Sequence, residues 1–78
     1  MTIDYSRYMS ADEKKTLLTN NLRNFAADHY ANSLNKTIAL GNGAAVDSEI
    51  VKVAEANMAA LEATITTVET ELAAQEVL

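Results

Sequence analysis

Seventy-eight residues carry eleven acidic and six basic side chains, a net charge of −5, one histidine and no cysteine. A compact chain this short withdraws only ~60% of its unfolded surface from water, so one domain is the limit and its stability is marginal without a disulfide, a metal or a partner surface. With no cysteine for a disulfide or a thiolate ligand set, and one histidine for zinc, association with other protein is the route left open.

Charge and hydropathy remove further classes. Arg7, Lys14, Lys15, Arg23, Lys36 and Lys52 are scattered, and no basic residue follows Lys52. An acidic chain without a basic cluster gains nothing from phosphate neutralisation, so no nucleic-acid partner is expected. The apolar runs are too short to cross a bilayer, so neither is a membrane. The opening residues MTIDYSRYMSADEKK lack the basic start and apolar core of a secretory signal, and a cytoplasmic or virion-interior location is the default expectation. The size and simplicity are those of small accessory proteins of phages and other mobile elements, although no motif carries that likeness.

Residues 1–9 hold Ile3, Tyr5, Tyr8 and Met9 without helical spacing. They read as an extended arm, with Ile3, Tyr5 and Tyr8 as candidate docking side chains, because tyrosine pairs a large apolar body with a polar tip. Ser10-Ala11-Asp12-Glu13 is a capping box, with acidic residues at the positive end of a helix dipole. Helix 1 is predicted from about 11 to about 40. Apolar residues recur in it at every fourth position, at Leu18, Leu22, Ala26, Tyr30, Leu34 and Ile38, with Phe25 beside them. Steps of four turn about 40° further round the helix each time, so this stripe winds.

Gly41-Asn42-Gly43 is the only glycine cluster and marks the hinge, residues 41–47. Asp47 or Ser48 is expected to cap helix 2, predicted from about 48 to about 76. Helix 2 carries the clearest pattern in the chain. Val51, Ala54, Met58, Leu61, Ile65, Val68 and Leu72 alternate at spacings of three and four, and Glu55, Glu62, Glu69 and Glu76 recur every seventh residue along one flank. In heptad terms position a holds Val51, Met58, Ile65 and Leu72, position d holds Ala54, Leu61, Val68 and Gln75, and position e is all glutamate. Two parallel copies of helix 2 would set Glu71 against Glu76 and leave the other glutamates without a cation. The basic residues of helix 1 supply them instead. The short hinge predicts an antiparallel hairpin, with Arg23 near Glu62 or Glu69, and Lys14 and Lys15 near Glu71 or Glu76. Its seam is expected at Leu18, Leu22, Phe25, Tyr30, Leu34 and Ile38 against Val51, Met58, Leu61, Ile65, Val68 and Leu72.

The other positions of helix 2 are nearly uncharged. Val53, Ala56, Ala60, Ala63, Thr67, Thr70 and Ala74, with Ala59, Thr66, Ala73 and Val77 beside them, make a face of small residues where a solvated helix would carry lysine and glutamate. Alanine alone would be neutral, since it is the best helix former. Threonine is a poor one, which favours a face covered by protein.

Nothing reads as chemistry. Asp28 and His29 are adjacent, with Asn32 and Ser33 one turn on, but there is no second histidine and no Glu-x-x-His such as a di-iron bundle requires. The glutamate row is spaced along an edge, whereas a hard-cation site needs converging oxygens. The glycine cluster is too short for a phosphate loop and no lysine follows it. Ser10, Ser33 and Ser48 stand in no nucleophile motif. No catalytic, cofactor-binding or metal-ligating residue and no cofactor are assigned. The expected fold is all-α, a single domain in which an antiparallel two-helix hairpin oligomerises, as a dimer or tetramer, into a coiled-coil-like bundle. The expected function is a structural or protein-interaction module, as a homo-oligomer or docked on a larger complex. The alternative is a small acidic inhibitor or nucleic-acid mimic that occupies a basic surface on another protein.

Overall fold

The computed structural model describes residues 3–76. Met1, Thr2, Val77 and Leu78 lie outside the described residues, as does the side chain of Glu76, so the expectations placed on them go no further. The elements are a single 3-10 turn at Tyr5–Arg7, helix α1 at Ala11–Gly41 and helix α2 at Glu49–Glu76. The two helices pack antiparallel into a rod measuring 54 × 23 × 19 Å. Among the described residues there is no strand. The hairpin is all-helical, as the spacing and the glycine hinge predict.

The arm is not extended throughout. The Asp4 carboxylate accepts from the Ser6 amide at 3.1 Å and from the Ser6 hydroxyl at 2.6 Å, and this local cap turns Tyr5–Arg7 into 3-10 helix. An aspartate two residues before a serine offers the backbone that alternative to extended chain. At the start of α1 the capping box is complete. The Ser10 hydroxyl accepts from the Glu13 amide at 3.1 Å, and the Glu13 carboxylate accepts from the Ser10 amide at 2.9 Å. That bond to the Ser10 amide holds the Glu13 carboxyl below its usual range.

The hinge is a helix C-cap built on Gly43. Gly43 has φ +95, its amide donates to Leu40 O at 3.1 Å, and the Ala44 amide donates to Ala39 O at 3.0 Å. This is the two-bond motif that closes many helices with a left-handed residue. Gly41 sits in the last helical position instead. A Cβ would meet open space at both glycines, so only backbone conformation separates them. Gly43→Ala is expected to destabilise the hairpin by about 1–2 kcal/mol, and Gly41→Ala to stabilise it by about 0.5–1 kcal/mol. Paired urea melts check this, and equal shifts would contradict the assignment of the cap. The Ser48 backbone carbonyl accepts the first bond of α2, from the Lys52 amide at 3.0 Å. Its hydroxyl oxygen is buried without a hydrogen-bond partner, so the cap expected from that side chain is not made.

Between the helices lie Val51 and Ala54, both buried, followed by half-buried Met58, Leu61, Ile65, Val68, Leu72 and Gln75. These are the a and d positions of α2 without exception. On α1 the half-buried or buried set includes Leu18, Leu22, Phe25, His29, Asn32, Lys36 and Ala39. Those residues also alternate by four and three.

The seam of α1 therefore departs from the every-fourth stripe. Tyr30 is 69% exposed, and Leu34 and Ile38 are about as open as surface residues usually are, at 44% and 51%. They were expected in the seam and lie outside it. A stripe that advances about 40° per step leaves the contact line within two or three steps. The pairing with α2 holds the three-four alternation, so α1 turns His29, Asn32 and Lys36 inward.

Candidate functional site

The hairpin presents two broad faces that differ in chemistry. One is built from α1 positions next to Asn32 and α2 positions next to Asn57. The Asn57 amide donates to Asn32 Oδ1 at 3.1 Å across the groove. On either side of that bond, Asp28, Ala31 and Ala60 line one hollow, and Asn35, Ile38, Ile50 and Val53 line the next toward the hinge. Ile38, Ile50 and Val53 are each about half exposed. Toward the open end, Leu17 continues the same face beside Lys14, Glu71 and Gln75, and Tyr5 and Met9 of the arm close over that hollow.

The opposite face carries the glutamates. His29 Nε2 lies 3.7 Å from a Glu62 carboxylate oxygen, and the Lys36 ammonium lies 4.0 Å from Glu55. Ala26, Ile65 and Thr66 complete the hollow around His29 and Glu62. The expected partner of Glu62 or Glu69 was Arg23, but it is His29 that reaches Glu62. The register that pairs Asn32 with Asn57 and Lys36 with Glu55 carries His29 to the height of Glu62. At the other end Lys14 shares a hollow with Glu71, in line with the expected neighbourhood. The glutamates of these contacts are solvent-exposed and the contacts are long, so each is worth ~0–1 kcal/mol and helps choose the register more than it holds the fold.

The outer edge of α2 is bare. Val53, Ala56, Ala60, Ala63, Thr67, Thr70 and Ala74 are all exposed. The threonines of α2, on this edge and beside it, spend their hydroxyl protons within the helix. The hydroxyls of Thr64, Thr66, Thr67 and Thr70 donate to the carbonyls of Ala60, Glu62, Ala63 and Thr66 in the preceding turn, at 2.9–3.1 Å. Ile3, Tyr5 and Tyr8 of the arm are exposed as well.

Three features escape a reading of the apolar pattern alone. Leu17, Val46 and Ile50 are large, apolar and exposed. The asparagines at 32, 35 and 57 gather on one face. The polar stretch of the α1 seam, His29, Asn32 and Lys36, shows only when the three-four spacing of helix 2 is imposed on helix 1.

For chemistry the arrangement offers little. Among the described residues no three His, Cys, Asp or Glu side chains are placed to hold a metal ion. The hollows are shallow surface grooves, each lined from both helices or from the arm and one helix end. No described helix is long and apolar enough to cross a membrane. Comparison with protein-family models, curated proteins and solved structures gives no match.

Proposed function

We propose that this chain is a non-catalytic assembly module that works through helix–helix packing, as a homo-oligomer or docked on a larger complex. The observation that carries the reading is the shortage of core. Among the described residues only Ala39, Val51 and Ala54 are buried, while Leu17, Tyr30, Leu34, Ile38, Ile50 and Val53 stand in the open. Two helices pressed together can each cover one side only. Helices of this length draw most of their stability from packing an apolar face, and Leu17, Ile38, Ile50 and Val53 gather on one face of the hairpin, where large exposed apolar side chains mark an interaction surface as isolated ones do not. Thr67 and Thr70 on the outer edge of α2 bond their hydroxyls back to their own helix, which lowers the polarity of that edge.

Light scattering on the purified chain tests the reading. The expected mass at micromolar concentration is two or more times the 8.4 kDa of one chain, with a cooperative helical melt whose midpoint rises with concentration. A monodisperse, fully helical particle of one chain's mass would overturn self-association. It would leave the glutamate flank to a basic partner protein as the better reading.

A further inference from the structure

The two broad faces of the hairpin are not equivalent, and we propose that the one lined by Asn32, Asn57, Ile38, Ile50 and Val53 is where a second copy of this chain docks, hinge end beside hinge end, to close a four-helix bundle. This rests on the association proposed above and goes on to name the surface, the occupant and the orientation.

Area permits it. A rod 54 Å long and 23 Å wide offers a face of about 1,000 Å² to its copy, above the ~800 Å² per partner of an ordinary stable interface. The choice of face follows from charge. The glutamate face sets Glu55 and Glu62 beside Lys36 and His29 along its length, and burying that row against another copy would strip water from every one of those groups. The asparagine face has a stretch from Ala31 to Ile38 on α1, and from Ile50 to Ala60 on α2, lined by apolar side chains and amides, with one carboxylate at each end of it, Asp28 and Glu49. Asparagine can both donate and accept, so an amide cluster can bond with its own copy.

The orientation follows from where the remaining charges of that face stand. A two-fold axis along the rod places α1 of one copy over α2 of the other, antiparallel, with the hinges together. Ile38 then lies at the height of the copy's Ile50 and Val53. Asp28 lies over the copy's Ala60, with which it already shares a hollow in its own chain. Lys14 comes within a turn or so of the copy's Glu71. The reverse arrangement, hinge against open end, stacks α1 on α1. Asp28 is close to the middle of α1, so its carboxylate would meet its own counterpart, a like-charge contact that costs rather than stabilises.

Two measurements on the full chain decide it. Ala59 and Ala60 are adjacent and exposed, about 100° apart round the helix, and glutamate is a good helix former. Ala60→Glu is expected to reduce the assembly to the mass of one chain, with the dissociation constant raised at least ~10-fold, while Ala59→Glu keeps the wild-type mass. The reverse pattern would overturn the choice of face and leave association standing. A wild-type chain that is itself monomeric would sink both. The chain has no cysteine, and Val46 of the hinge is 75% exposed and outside the docking face, so Val46→Cys takes a single spin label without touching the interface. Dipolar spectroscopy should give a separation under ~30 Å for hinge-to-hinge packing, where the two hinges sit at the same end of the bundle. The reverse stack sets the two labels near opposite ends of a rod 54 Å long. A separation above ~30 Å would overturn the orientation.

Discussion

Val51→Asp is expected to abolish the hairpin. Val51 is 1% exposed and is the largest fully buried side chain among the described residues. An ionised carboxylate there would be buried beside an α1 seam whose one lysine, Lys36, stands at Glu55, a turn further along α2. Leaving it unpaired costs several kcal/mol, against a total stability of about 5–8 kcal/mol for a domain this small. A countervailing term exists, because residue 51 is in the first turn of α2 and aspartate favours that end of the dipole, but it amounts to ~0.3–1 kcal/mol and loses. Circular dichroism at 222 nm should show most of the helical signal gone at 25 °C. Val53→Asp, two residues on and about half exposed, is the comparison. It should keep its helix while weakening assembly. Equal loss of helix in both variants would mean that the hairpin has no existence apart from its oligomer.

How much of this could be read beforehand differs between the two helices. In α2 one apolar set repeats at three and four, and every a and d position from Val51 to Gln75 is buried or half-buried. The glutamate column on its flank follows from the same period. In α1 two readings compete. Leu18, Leu22, Ala26, Tyr30, Leu34 and Ile38 are the more apolar series, and intrinsic hydrophobicity selects it. Contact with α2 selects Leu18, Leu22, Phe25, His29, Asn32, Lys36 and Ala39, because a helix can stay against its neighbour only along a line of about 3.5 residues per turn. The two series share Leu18 and Leu22 and diverge after them. Tertiary geometry overrides side-chain polarity there, and nothing local to helix 1 announces it. The broad division of faces escapes for the same reason. Asn32 meets Asn57 only because the hinge fixes the register, and a shift of one turn would put a different pair together. The short 3-10 turn of the arm was within reach, since Asp4 and Ser6 stand at the spacing of a local cap.

The polar stretch of the α1 seam gives the second large effect. His29→Leu with Asn32→Leu is expected to raise the melting temperature of the hairpin by roughly 5–15 °C. Both positions are half-buried against α2, so each leucine gains about half of the 1.5–3 kcal/mol of full burial. What is lost is small. The His29 contact with Glu62 is long, at 3.7 Å, its Nε2 has no hydrogen-bond partner, and the Asn32–Asn57 bond is solvent-exposed, which together amount to ~1 kcal/mol or less. A net gain near 1–2 kcal/mol corresponds to that shift for a domain of this length. The stabilisation should come with a loss of definition. A polar residue in an apolar seam fixes register and partner number at a cost in stability, and the Asn32–Asn57 bond is satisfied in one register only. The leucine variant is therefore expected to melt higher yet to show several masses by sedimentation, where the parent shows one. A higher melting point with a single unchanged mass would confine these side chains to an incidental place in the seam. A lower melting point would mean that His29 and Asn32 meet polar groups of a partner, and that the seam is read from outside the hairpin as well as within it.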